Sequence, residues 1–299
     1  MKIGFWTLLD SEASWSTAQV AQEAAARGYH GADLRVARND GRPTLGADVR
    51  LDSNPAVRER IRADFAAVGV EIASLNCYNG SPHSSSESSW RAFESELTRH
   101  AELATALGTR RVRFVIEGPA PDLDWPAYLR RGWARIGAAL DRFPGLDAVV
   151  ENHPGRANAR QLFEVAEEID DPRIGLEFSP EHALVMQEDV LGLIERYCRH
   201  IHHLCYADRR VVQEGLADFD GRYYTVRYES CWNGDGVVPT GRMLDLLRAG
   251  GFDDYISLKY EKSADYGWHL PPGIDALDHF PGFLAGFGIE PAPTCRQQS

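Results

Sequence analysis

A short apolar, β-branched run followed by a longer amphipathic stretch recurs about eight times along this chain, and that rhythm restricts it to folds in which helices cover a parallel sheet. The short runs fall near 2–8, 31–37, 70–76, 110–117, 146–152, 173–179, 201–207 and 255–261. Eight such units within 299 residues predict a single (β/α)₈ TIM barrel over residues 1–290, followed by a frayed C-terminal tail over 291–299. An open doubly wound sheet is the alternative. In the third amphipathic stretch Trp90, Phe93, Leu97, Ala101, Ala104 and Leu107 repeat at helical spacing and stop at Gly108. The fourth starts behind Asp124-Trp125-Pro126, where proline suits a first helical turn. Two stretches after strands read as long loops: the Ser-rich run after the third strand, and Tyr206 to Pro239 after the seventh. The second carries Tyr223, Tyr224, Tyr228 and Trp232, and fits either a lid or a contact between copies of the chain in a homo-oligomer.

Charge and cysteine usage exclude several classes of function. A formal charge of −12 opposes general binding to nucleic acid or to an anionic membrane. The N-terminus lacks the layout of a signal peptide, and no apolar run approaches the ~18 residues of a membrane span. The five cysteines, Cys77, Cys198, Cys205, Cys231 and Cys295, are odd in number and contain no CxxC pair. They read as reduced thiols, and a cytoplasmic location follows as the expectation.

In a parallel barrel the last inward-facing residue of each strand points into the mouth where substrates bind, so polar residues at strand ends are the functional candidates. The fifth run ends in VVENH, bringing Glu151 out of an apolar strand as a general base or metal ligand, with His153 close behind. The sixth ends LEFSPEH, in which Glu177 and Ser179 share a face and His182 follows in the turn. On the seventh, His203 and Cys205 share a face, with Arg209 and Arg210 beyond the strand. The eighth, ISLKYE, carries Lys259. This is one of only three lysines, in a chain whose remaining cations among the 32 Lys and Arg are arginine. A lysine at such a position either pairs with a carboxylate or is tuned for catalysis.

Taken in order, GYHGADLR, VVENH, SPEH, Cys205 four residues before Arg209, NGDGVVP and GGFDDYISLKYE resemble the xylose-isomerase-like barrels over nearly the whole chain. That group includes sugar isomerases, ketose 3-epimerases, inosose dehydratases and relatives of endonuclease IV. The resemblance implies a divalent cation held by Glu, Asp, His and Glu on the fifth to eighth strands. Here those positions carry Glu151, Ser179, Cys205 and Lys259, while the family's accessory histidine falls on His182. One carboxylate and one ammonium already sum to zero, and adding a divalent cation would leave +2 in a low-dielectric mouth. The expectation is therefore an enzyme without metal or other cofactor, moving a proton on a sugar-like, polyhydroxylated carbonyl compound. Glu151, Lys259 and His182 would be catalytic; His153, His203, Cys205, Arg209, Arg210, Ser179 and Glu177 would bind substrate. A Schiff base on Lys259 is a variant of this reading. Two alternatives stand beside it: a non-catalytic or partner-dependent ligand-binding barrel, and a lyase or dehydratase with zinc on rearranged ligands drawn from Glu151, Glu177, His182, His203 and Cys205.

Overall fold

The computed structural model describes residues 1–7, 15–37, 49–77, 86–114, 124–154, 157–216, 224–262 and 267–294. The first half of the chain alternates β1 (Lys2–Phe5), α1 (Thr17–Ala26), β2 (Gly31–Arg35), α2 (Pro55–Val68), β3 (Glu71–Asn76), α3 (Glu87–Leu107), β4 (Arg111–Phe114) and α4 (Trp125–Leu140). The second half continues with β5 (Asp147–Glu151), α5 (Ala159–Ile169), β6 (Ile174–Phe178), α6 (Pro180–Val185), α7 (Val190–Tyr197) and β7 (Ile201–Tyr206). Then come β8 (Asp208–Leu216), β9 (Tyr224–Cys231), α8 (Thr240–Ala249), β10 (Tyr255–Leu258) and α9 (Gly273–Ala285).

Eight of these strands form one parallel sheet in the order β1-β10-β7-β6-β5-β4-β3-β2. The ring closes between β1 and β2 through a bridge of Trp6 to Asp33 and hydrogen bonds from His30 N to Ile3 O and Thr7 N to Asp33 O. The fold is thus the (β/α)₈ barrel, and each of its eight strands lies within one of the runs read from sequence. Those strands are legible because their outward faces lie beneath the helices: Leu34, Val112, Phe114, Val150, Leu176, Phe178, Leu204 and Ile256 are wholly buried. The helix signals hold for the same local reasons. Asp124 accepts from Ala127 N at the start of α4, and Gly108 closes α3 in the left-handed conformation at φ 77°.

The stretch after β7 corrects one expectation. Its core is an antiparallel hairpin of β8 and β9, joined in register from Asp208↔Cys231 to Leu216↔Tyr224. Alternating charged and β-branched or aromatic residues in VRYES, opposite the β-branched Val211 and Val212, fit a two-stranded ribbon with one open face. The Ser-rich run after β3 and the end of the tail lie largely outside the described residues. Within the tail, Ala292 N donates to Gly28 O at 2.7 Å.

The barrel floor is ionic. Buried Arg111 reaches Asp254 with two N–H groups at 2.9 Å, and Arg110 adds a third contact at 2.6 Å. Burial alone would raise the Asp254 pKa, but the Arg111 hydrogen bonds and charge outweigh it and hold the carboxyl well below the usual range. A depressed carboxylate pKa stabilises the fold above the unfolded value near 4, and that stability is lost as pH falls through the folded value. Asp254→Ala is therefore expected to cost about 3 kcal/mol at pH 7, because it strands a buried guanidinium. The gap to the parent should narrow below about pH 4 in urea titrations; a gap independent of pH would contradict this account of the floor.

Candidate active site

Above the floor the interior side chains form two polar layers. The lower holds Asp33, Ser74, Glu177, His203 and Ser257, all fully buried. His203 Nε2 lies 2.9 Å from Ser257 Oγ, 3.3 Å from Asp33 Oδ1 and 3.7 Å from Glu177 Oε1, while Ser74 Oγ donates to Asp33 Oδ1 at 2.5 Å. The other ring nitrogen, Nδ1, faces Arg111 Nη1 at 3.2 Å. Burial presses the His203 pKa down, but Asp33 and Glu177 win and raise it. The opposite holds for Glu177, which burial raises despite the charges of His203 and Arg113.

The upper layer is the mouth, where the ends of β1, β4, β5 and β10 meet the turn after β6. Lys259 Nζ donates to Glu151 Oε1 at 3.0 Å and faces His182 Nε2 at 3.1 Å. The other Glu151 oxygen is held by Arg113, whose Nε also donates to Glu177 at 3.0 Å. The indole of Trp6 supports both cations, with Lys259 5.1 Å and Arg113 4.8 Å from its ring centre. His182 is brought to this point by α6, which begins immediately after β6. Asn152 locks the turn by donating to Ser179 O at 3.0 Å and accepting from Ser179 N at 2.8 Å. His182 Nδ1 donates to the Asn152 carbonyl at 2.8 Å, which leaves Nε2 as the acceptor for Lys259. Glu181, beside it on α6, lies 3.0 Å from His182 Nε2 and accepts from Arg209 at 2.6 Å.

Protonation states follow from these contacts. Burial opposes charge on Lys259, yet its pKa is raised, the Glu261 and Glu181 carboxylates favouring the charged form, so it is an ammonium at neutral pH. That disfavours the Schiff-base variant, which needs a free amine. Burial lowers the His182 pKa, Glu181 works against this and Lys259 adds to it, leaving the imidazole neutral. Glu181 is pushed up by burial but drawn well below the carboxylate range, with the charges of Arg209 and Lys259 beside it. Formally, Glu151 and Glu181 of the mouth and Glu177 beneath it face Lys259, Arg113 and Arg209, and these six charges sum to zero.

Of the residues expected from sequence, Glu151, Lys259, His182, Glu177 and Arg209 are brought into this one network, and His153 packs edge-on against His182 at 4.6 Å. Cys205 is buried with its thiol pKa pushed far up by burial, so it is a protonated thiol. Ser179 is buried with its main chain taken by Asn152. His203 lies one layer below the mouth. Arg210 is not brought to the site: it is half exposed on the hairpin and pairs with Glu229. Arg113, Glu181, Asp33, Asn152 and Trp6 are site residues that the sequence reading did not single out. The alternation that makes Arg111 and Arg113 both inward was the available signal for one of them.

Two sets of residues bear on a metal. At the four positions where the family resemblance places a divalent cation, the donors are one carboxylate already shared by two cations, a serine, a protonated thiol and an ammonium. These do not fit a divalent ion. The second set is Asp33, Glu177 and His203, whose ligand atoms lie within 4.8 Å of one another; among the described residues it is the group that could hold a metal. Against that use, Arg111 points a donor at His203 Nδ1, where metal-bound histidines normally donate to an acceptor instead.

The fold and this mouth define a barrel enzyme whose polar strand ends converge on a buried acid–base cluster. The model of the xylose isomerase-like TIM barrel family matches residues 21–279, and the chain belongs to that family. It is therefore a member of a superfamily of sugar isomerases, epimerases and dehydratases. The chain is 22% identical over 266 residues to an inosose dehydratase of Lacticaseibacillus casei, covering 75% of this chain and 86% of that protein. Among solved structures, the zinc-binding IOLI protein superposes with a TM-score of 0.72 at 15% identity, over 96% of this chain and 98% of the other. The 3-keto-D-glucoside 4-epimerase YcjR of E. coli superposes with 0.68 at 12% identity, over 96% and 99%. No described helix is long and apolar enough to cross a membrane.

Proposed function

We propose that this chain is a metal-independent enzyme that transfers a proton at a carbon next to the carbonyl of a sugar-like, polyhydroxylated compound. The observation that carries the reading is the ammonium of Lys259 held 3.0 Å from Glu151 and 3.1 Å from His182 in a buried mouth. An ammonium has three N–H groups; two are spoken for by Glu151 and His182, and the third is available to the substrate's carbonyl oxygen. There it stabilises the negative charge that builds as the neighbouring C–H bond breaks. Glu151 Oε1 keeps a lone pair beyond the one taken by Lys259 and accepts the proton. Neutral His182, pinned by the Asn152 carbonyl, keeps Lys259 turned toward Glu151. Isomerisation, epimerisation and dehydration share this first step.

A ketocyclitol is the first probe, because the matched curated relative is an inosose dehydratase. Incubated with the protein in D₂O and excess chelator, it should exchange a carbon-bound hydrogen, seen by NMR, at the same rate as without chelator. Exchange that stops with chelator and returns with added cation would sink the proposal. That result would favour the second reading, in which Asp33, Glu177 and His203 hold the ion.

A further inference from the structure

Between the ends of β7 and β10 and the loop after β9, Glu181, Asp208, Arg209, Ser230, Asn233 and Lys259 help to line a cavity of about 10 Å³. That is room for a single water molecule or a single hydroxyl group. Two of its polar walls are unmet. Arg209 takes one oxygen of Glu181, and the other, Oε1, lies 3.0 Å from His182 Nε2, which as the acceptor of a neutral imidazole gives it no proton, and has no hydrogen bond. The Nδ2 of Asn233, a residue only 3% exposed, has no partner either. An acceptor and a donor left unmet among the buried residues that line one small cavity are costly. One hydroxyl that reaches both would satisfy them, its oxygen accepting from Asn233 and its hydrogen donated to Glu181. A carboxylate or phosphate would bring negative charge against Glu181, and a bare carbonyl has no hydrogen to donate.

The position of Asn233 is built into the fold. Asp208 accepts from the N–H groups of Arg209 and Val238 through Oδ1, and from those of Gly234 and Gly236 through Oδ2, at 2.9–3.2 Å. This clamp explains the NGDG sequence: Gly234 lies at φ 99°, and a Cβ on Gly236 would stand 2.0 Å from Asp208 Oδ1. The carbonyl of Asn233 is fixed as well, accepting from His279 Nε2 at 3.1 Å.

We infer that this cavity is a subsite for one substrate hydroxyl and that Asn233 is a specificity-determining residue. Lys259 Nζ also lines it, 3.7 Å from Glu181 Oε1, so a hydroxyl seated there lies beside the ammonium assigned above to the carbonyl oxygen. Hydroxyl and carbonyl then stand on adjacent carbons, the α-hydroxy carbonyl arrangement that a sugar-like substrate already carries. The location of the carbonyl rests on the proposed role of Lys259; the subsite itself rests on the cavity and its unmet walls.

Two readouts separate these claims. In crystals of the full chain soaked in glycerol, an ordered water or glycerol hydroxyl should lie within hydrogen-bonding distance of both Asn233 Nδ2 and Glu181 Oε1; a dry or side-chain-filled cavity overturns the subsite. In solution, Asn233→Ala should lower kcat/KM about 10²-fold on a ketocyclitol, yet change it little on the deoxy analogue that lacks the hydroxyl next to the carbonyl. Asn233→Ser, which keeps a donor, should recover part of the loss. Losses equal on both probes would mean that Asn233 does not read that hydroxyl. If the parent protein exchanges no carbon-bound hydrogen in any probe, the proton-transfer reading falls and the α-hydroxy carbonyl assignment with it, while the crystal readout still decides the subsite.

Discussion

Lys259→Met is expected to lower turnover about 10³-fold, the loss that follows when a preorganised cation is removed from a developing oxyanion in a water-excluded site. Glu151→Gln should produce a fall of similar order if that carboxylate is the proton acceptor proposed above. Stability alone does not separate a catalytic pair from a merely structural one, because the two charges are coupled in either case; turnover does. Each single substitution leaves an opposite charge short of a partner, at a cost of about 3 kcal/mol. Glu151→Gln strands Lys259, and Lys259→Met leaves Glu151 to Arg113 alone, because that guanidinium is already shared with Glu177. The double variant should be more stable than the sum of the two losses predicts, and it should remain inactive. Recovery of turnover in the double variant, or full activity in Lys259→Met, would show that the ammonium does no chemistry.

Asp208→Ala should destabilise the fold more than either single change in that pair. Four backbone N–H groups lose their common acceptor at once, and each unmet group costs about 1–3 kcal/mol, partly offset by water entering the vacated space. A net loss of about 4 kcal/mol in urea unfolding is expected, with turnover falling as Asn233 and Arg209 lose their fixed positions. Gly236→Ala should behave similarly, because its added carbon has no room beside Asp208. A loss below about 1 kcal/mol would mean that the loop holds its shape without the clamp.

The barrel was legible in the sequence because the outward face of each strand is buried beneath helices and writes a short β-branched or apolar signal, and eight such runs at regular spacing admit few closures. The juxtaposition of Glu151, His182 and Lys259 was legible from the same logic, since strand ends of a barrel converge. Other parts were hidden for physical reasons. Arg113 reads as an ordinary surface cation in a chain that uses arginine almost everywhere, and only its register in β4 turns it inward. Asp33 lies in mid-strand, where alternation alone does not tell an interior ion from an edge residue. Glu181 depends on the turn into α6, whose direction is set by Asn152 locking Ser179. The hairpin of β8 and β9 has no core of its own to betray it, and its charged alternation reads as loop. The charge count from sequence used Glu151 and Lys259 alone and left out Arg113, Glu177, Glu181 and Arg209, which stand in the same network.

The central claim is that an ammonium stands where relatives are expected to hold a divalent cation. Elemental analysis of the purified protein, before and after chelation, tests it most directly. The account predicts less than about 0.1 equivalent of any divalent metal, with the fold unchanged by chelator. Close to one equivalent, lost together with activity in Asp33→Ala or His203→Ala, would contradict it and place the working ion one layer below the mouth.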